Sequence, residues 1–429
     1  MENSFIKKSR NNLSWKALLF KLVVVLPTSS FQLLTSNFLQ AQNQLAPYLK
    51  LAEQHNPRLK SLSNEYLAAL EEIPQVGTLP DPQLSVASGM LVSTGEMPTG
   101  TPRTRLSVSQ MFPWFGTLTA QERVAAQRAH AKLQQREDAK LALFKQVKVT
   151  YNDLYYLQAA TRITRESLGL LASFKELARV NFEGARAGFS DVLRVEIEEE
   201  ALRSKLRYLE DSQVPLVAQF EQLLNTDLGE PITLPDSLRT EELLLPPDSI
   251  IQRMLTDNPQ LKAWQHEVWA YEEQATVARK MGLPSFTLGG SYVNVVPGVG
   301  MEMVEVGMSL PLYRKKYQAM QKQAQLQQAS ARLREESTED QLLTELRTRY
   351  RDYQDAQRRV KLNRRLADLA ERTLDLLQTE FTTGEADFEK IIRIEQQRLT
   401  YQLNAEQARV DQNNYVYEVH YLMGIGTAP

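Results

Sequence analysis

An internal duplication with a fixed period limits this chain most, because a unit present twice has to stack on or pair with its own copy. Asn56-Pro57-Arg58-Leu59-Lys60 returns as Asn258-Pro259-Gln260-Leu261-Lys262, a shift of 202, and the segment opening at Pro82 returns at Pro284 with the same shift. Further on, Pro113 returns at Pro311, a shift of 198. Phe182, Phe189, Leu193, Arg194 and Glu196 then return as Phe381, Phe388, Ile392, Arg393 and Glu395, all shifted by 199. Between the halves, Pro231, Pro235, Pro246 and Pro247 stand among Asp, Glu and Ser, which is linker composition. The chain therefore divides into a first repeat over 42–225, a linker over 226–246 and a second repeat over 247–425.

Each repeat reads as a helix, two strands and a long helical hairpin. The opening helices are expected over roughly 45–76 and 247–281, with Asn-Pro near the first turn. Strands are expected over about 82–112 and 284–311. In the first pair Leu84, Val86, Leu106 and Val108 alternate with small or polar residues. In the second, Phe286, Leu288, Tyr292, Val304, Val306, Met308 and Leu310 do the same. Period-two alternation also describes a half-buried sheet in a soluble domain. Strands of about ten residues with an apolar face and a face of Ser, Thr, Gly and Arg equally fit a tilted membrane strand over a watery lumen. Phe112, Trp114, Phe115 and Tyr313 at the strand ends suit a lipid–water interface.

The hairpins are expected over about 117–225 and 315–423. Only 18 glycines occur in 429 residues, and the long Gly-poor stretches rich in Ala, Leu, Gln, Glu and Arg signal extended helices. The first returning helix carries Val192, Val195, Glu199, Leu202, Leu206 and Leu209 at spacings of three and four, and the second carries Ile391, Ile394, Arg398, Tyr401, Ala405 and Ala408 in the same register. Such a seam packs by coiled-coil rules. Pro215 is expected to break or kink the first returning helix, whereas its counterpart Asn414 is not.

Composition narrows the function classes. Hydrophobic content of 42% with 24% charged residues excludes a bundle of transmembrane helices, and a net charge of −2 gives no reason to expect nucleic acid. The absence of cysteine removes thiolate chemistry, disulfides and a lipid-anchor site. Lys7, Lys8, Arg10 and Lys16 precede a short apolar run from Ala17 to Leu26, and residues 1–41 read as a secretory signal cleaved near Ala41, with a short membrane anchor as the alternative. His55, His130, His266 and His420 are scattered singly, so neither a metal site nor a cofactor is expected. Met90, Met97, Met111, Met301, Met303 and Met308 are read as apolar packing rather than soft-metal ligands. No phosphate loop, nucleophile elbow or zinc-protease motif occurs, so no enzyme is expected.

Four short strands have two unpaired edges, and a bilayer makes unpaired backbone groups costly, so a membrane reading requires several copies to associate. The sequence resembles the TolC-like outer-membrane efflux proteins. The resemblance rests on the duplication, on Ser-Gln-Met-Phe-Pro-Trp-Phe-Gly at 109–116, and on the turns Phe182-Glu183-Gly184-Ala185-Arg186-Ala187-Gly188-Phe189-Ser190-Asp191 and Phe381-Thr382-Thr383-Gly384-Glu385-Ala386. It implies a mostly α fold with a small β part, a homotrimer whose twelve-stranded β-barrel sits in outer-membrane lipid, and a twelve-helix α-barrel reaching through the periplasm. It also implies a passive exit duct for small molecules or metal ions, served by a periplasmic adaptor and an inner-membrane pump. A periplasmic coiled-coil adaptor or scaffold is the competing reading. The tips at 182–191 and 381–390 are the expected gate and adaptor contact, through Arg186, Asp191, Arg194, Gly384, Glu385, Asp387, Lys390 and Arg393. Lys390 stands where the family often has Asp, and Ala185 where it often has Gly, so an acidic constriction ring is not expected.

Overall fold

A computed structural model describes residues 45–90, 102–184, 188–296, 299–383 and 388–426; the leader expected over 1–41 lies outside them. The chain runs α1 (Ala46–His55), α2 (Pro57–Gly77), β1 (Gln83–Met90), β2 (Pro102–Phe112), α3 (Thr117–Glu183), α4 (Phe189–Asp211) and α5 (Gln213–Leu224), then α6 (Pro247–Asp257), α7 (Pro259–Met281), β3 (Ser285–Val296), β4 (Val299–Ser309), α8 (Arg314–Thr383) and α9 (Phe388–Leu422). Among the described residues no helix is long and apolar enough to cross a membrane.

The opening helix of each repeat, expected as one, is two. A residue before proline is pushed out of the helical region, and Asn56 (ψ 120°) and Asn258 (ψ 125°) are accordingly extended. Each Asn then caps the helix that follows: Asn56 Oδ1 accepts from the Leu59 amide, and Asn258 Oδ1 accepts from those of Gln260 and Leu261. The first returning helix is also divided, at Ser212, three residues before Pro215. Pro215 lacks the amide that would continue the ladder, and its ring crowds the carbonyl four residues back. In the second repeat α9 passes Asn414 unbroken.

With no proline and at most one glycine each, α3 (67 residues) and α8 (70 residues) run as single rods, each about 100 Å long at ~1.5 Å per residue. Around them the same core is built twice. Ala52, Leu59, Leu143, Val147 and Phe220 form one cluster, and Met254, Leu261, Leu342, Leu346 and Val419, their counterparts at shifts of 202 and 199, form another. Near the sheet the helices lie in the order α2, α3, α7, α8, and further along in the order α4, α3, α9, α8. Inner helices are buried on two sides: α3 packs Leu143 and Val147 toward α1, α2 and α5, and Leu157, Ala160 and Ile163 toward Leu399 and Leu403 of α9. The outer rod α8 buries one stripe that includes Ala324, Ala331, Leu342, Leu346 and Tyr353.

The strands form one antiparallel sheet in the order β1-β2-β3-β4, so the two expected strand pairs are joined through β2 and β3. Leu84 opposes Val108, Val86 opposes Leu106, Leu106 opposes Tyr292, and Leu288 opposes Val306. Gly116, at φ +73°, turns the chain from β2 into α3; a Cβ there would lie 2.9 Å from Lys280 Nζ, which donates to the Phe115 carbonyl.

The inter-repeat segment is a belt across the helices. Asn413 donates to the Arg239 carbonyl (2.7 Å) and accepts from the Glu241 amide (2.8 Å), while Tyr353 accepts from the Leu243 amide (3.1 Å). Tyr417 donates to Glu241 (2.8 Å) and carries Lys148 Nζ 4.9 Å from its ring centre. Next to it His420 has a buried Nδ1 without a hydrogen-bond partner. Burial, reinforced by Lys148 and Arg253, holds its imidazole down at about 4, so it folds neutral. The unfolded chain then binds the extra proton between about 4 and the ordinary value near 6.5, and folding weakens as pH falls through that window. The thermal midpoint should drop on acidification from pH 6.5 to 4, with on the order of 3 kcal/mol of stability at stake, and His420→Phe should flatten the dependence in a differential scanning measurement.

Candidate functional site: the sheet faces and the helical tips

The sheet has two chemically different faces because directly opposed residues of an antiparallel pair point the same way. On one face the register gathers Leu84, Val86, Leu106, Val108, Phe286, Leu288, Tyr292, Val304, Val306 and Met308. Except for half-buried Phe286, all are exposed. Leu310 lies one residue beyond β4 and is also exposed. The other face is polar: Ser85 and Ser107 hydroxyls meet at 2.7 Å, and Arg105 of β2 pairs with Glu305 of β4 across β3. Ser291 of β3 stands between them, accepting from Arg105 (3.4 Å) and donating to Glu305 (3.1 Å). At the base of the sheet Trp114 stacks on Phe286 at 6.0 Å and meets Phe115 edge-on, while Phe115 and Tyr313 are open to the surroundings.

At the far end each hairpin is closed by a matched ring pair, Phe182 with Phe189 at 5.4 Å and Phe381 with Phe388 at 5.2 Å. Behind them Leu171, Phe174, Ala178, Val192, Val195, Leu374, Phe388, Ile391 and Ile392 fuse both hairpins into one core. Of the expected tip residues, Arg186, Gly384, Glu385 and Asp387 lie outside the described residues. Arg194 and Arg393 converge on a carboxylate that the sequence reading did not single out: Glu389 accepts from Arg194 of the first repeat (2.9 Å) and Arg393 of the second (2.6 Å). Arg393, then Arg194, holds the Glu389 carboxyl below the usual carboxylate range. Asp191 and Lys390 make no ion pair with any described residue. The signal for Glu389 was present but local, a Glu four residues before Arg393; its partner Arg194 is 195 residues away and only the fold supplies it.

A second polar centre lies deeper. Glu395, almost fully buried, accepts from Ser167 (2.6 Å) and from both Nε (2.7 Å) and Nη2 (2.9 Å) of Arg398. Its counterpart Glu196 is half-buried and pairs with Lys175 at 2.9 Å. A buried carboxylate without its partners is strongly destabilising, and of these bonds the one from Ser167 joins α9 to α3 of the other repeat. His130 and His266, read as isolated, are brought together with ring centres 5.1 Å apart, and Gln127 holds His266 Nδ1 at 2.8 Å. Among the described residues no group of three or more His, Asp or Glu is placed to hold a metal ion.

Residues 250–418 match the family model described as outer membrane efflux protein. The fold is similar to that of VceC, an outer membrane protein of Vibrio cholerae, at 16% identity and a TM-score of 0.77, covering 91% of this chain and 98% of that one. It is also similar to the Campylobacter jejuni CmeC outer membrane channel, at 15% identity and a TM-score of 0.73 over 89% and 86% of the two chains. The open-state MtrE outer membrane channel of Neisseria gonorrhoeae gives 16% identity and a TM-score of 0.72 over 89% of each. A search of curated proteins finds no match to the sequence.

The Glu389 clamp joins the two hairpins at an exposed position, where salt screens ion pairs. Glu389→Gln should speed amide exchange at 189–194 and 388–393 by hydrogen-exchange mass spectrometry, and high salt should have the same effect on the unsubstituted protein but little on the variant. Equal exchange in both proteins at low salt would show that the clamp does not hold the tip.

Proposed function

We infer, from a chain that matches the outer membrane efflux protein family model over residues 250–418 and carries the fold of such channels over about nine tenths of its length, that it is one subunit of an oligomeric exit duct in the outer membrane. One observation carries the reading. The sheet and the helical layer run out together: among the described residues β1 and β4 have no strand on their outer sides, and the helices joined to them, α2 and α8, are the outermost of their row. A sheet left open in lipid exposes unpaired backbone groups at several kcal/mol each, and closure removes them. Three copies close a barrel of twelve strands, within the range of membrane barrels.

In that assembly the apolar face from Leu84 to Met308 meets lipid, with Leu310 and the aromatic residues Phe115 and Tyr313 at its margin. The face with Arg105, Ser291 and Glu305 lines water. The helical rods extend into the periplasm, and the tips around Asp191, Arg194, Lys390 and Arg393 receive a periplasmic adaptor that couples the duct to an inner-membrane pump. Arg186, Gly384, Glu385 and Asp387, outside the described residues, are assigned to the same contact by their sequence positions alone. Export through such a duct is passive transport of small molecules or metal ions, and the chain is a transport protein, not an enzyme. A coiled-coil adaptor is disfavoured because the chain builds two hairpins and an apolar-faced sheet of four strands.

The full chain should fractionate with outer membranes as a heat-modifiable trimer and conduct ions in planar bilayers. Val306→Arg, on the apolar face near the bilayer middle, should cost about 2 kcal/mol or more and reduce the membrane-inserted fraction, while Ser107→Arg on the polar face should insert normally. A monomer released with the periplasmic fraction would overturn the reading.

A further inference from the structure

A small cleft lies where the end of α9 meets the middle of α3, and neither the sheet nor the tips account for its chemistry. Lys145 and Lys148 enter it from α3, and Tyr417, His420 and Tyr421 from α9, with Phe144 on an apolar wall. Two ammonium groups line it and no carboxylate does.

Lys148 is the group that requires an explanation. It is only 7% exposed, yet among the described residues its Nζ has no hydrogen-bond acceptor and no ion pair, only the Tyr417 ring with its centre at 4.9 Å. Lys145 likewise has only a ring, that of Tyr421, at 4.3 Å. A buried charge is costly unless it is paired, and burial pulls the Lys148 ammonium down to about 8 against the opposing effect of Glu241. In the same lining, His420 Nδ1 is buried without a hydrogen-bond partner.

The nearby carboxylates are engaged elsewhere. Glu241 accepts from Tyr417 (2.8 Å), Asp138 accepts from Tyr421 (2.9 Å), and Glu418 pairs with Arg349 at 2.6 Å. That leaves three donors around one space: Lys145, Lys148, and His420 in the neutral tautomer with its proton on Nδ1. The space is about 10 Å³, room for one atom of water size. Size and lining select among anions. Phosphate or sulfate would bring four oxygens, and the aromatic and aliphatic walls would leave most of them without donors. A monatomic anion needs only the three, and half-buried Lys145, on its flexible stem, can yield the slightly larger room a halide takes.

We propose that the cleft between α3 and the end of α9 binds a halide ion, held by Lys148, Lys145 and the Nδ1–H of His420. The ion supplies the counter-charge that Lys148 lacks and ties the last turn of α9 to α3. The site is complete within one copy, so it stands or falls separately from the duct reading.

Bromide replaces chloride chemically and scatters anomalously. Crystals of the full-length protein grown in bromide near neutral pH should show an anomalous peak at contact distance from Lys148 Nζ. In detergent at constant ionic strength, exchanging gluconate for bromide should raise the thermal midpoint by about 2 °C and slow amide exchange at 417–424 several-fold. Lys148→Met, which replaces a buried charge by an apolar chain of similar length, should lose both responses, while Lys361→Met, at an exposed lysine of α8, should keep them. An ordered water in place of the peak, or equal midpoints and exchange in bromide and gluconate, overturns the site. So does a response that survives in Lys148→Met, which marks a general salt effect. A peak without any response in solution marks an adventitious ion only and overturns it as well.

Discussion

The backbone of two edge strands imposes the constraint on which the rest of the molecule depends. Every strand carries a row of amide and carbonyl groups, and among the described residues the sheet of four leaves the outer rows of β1 and β4 without strand partners. In water such edges are tolerated, but beside an exposed apolar face they are a liability, since face and edge both invite other chains. Adding copies pairs the edges and separates the apolar face from the polar one. The rods follow the same logic because each strand continues directly into a helix, so the order of helices is inherited from the order of strands.

Duplication explains why one chain contains both the solved and the unsolved form of the same packing problem. Phe220 and Val419 fill equivalent positions in equivalent cores, whereas Leu193 and Ile392 occupy equivalent positions with opposite exposure. The difference is not chemical, since both are large and aliphatic. It arises because Ile392 has a rod of its own chain on both sides and Leu193 sits on the last helix of the row. Where the repeats do differ in chemistry, they do so at breaks and charges. Pro215 divides α4 from α5 while α9 is continuous, and the buried Glu395–Arg398 pair has as counterpart the half-buried Glu196 and a carboxylate, Glu199.

The long-range pairings were the least legible part. Local rules foresaw the apolar strand positions, the rods and the interruption near Pro215, because period-two alternation, absence of glycine and proline, and proline geometry each act within a few residues. The same rules misjudged the opening helices as single, although Asn-Pro carried the signal for a break: the extended conformation required before proline outweighs continuity of the helical pattern. Glu389 went unnoticed as a clamp and His130 and His266 as neighbours, since half of each contact comes from the other repeat. Arg105 was read only as part of a polar strand face; its partner Glu305 stands two strands away.

By itself the sequence determined the repeated unit, the faces of its strands and the length of its rods, because these depend on spacing along the chain. Tertiary structure alone decided that the strand pairs join through β2 and β3, that the inter-repeat segment is bonded as a belt to α8 and α9, and which rod is inner and which outer. Those outcomes depend on where the two copies of the unit lie relative to each other. A chain of two nearly equivalent halves specifies the contact surface twice and satisfies it once, and only the folded arrangement reveals which surface remains open.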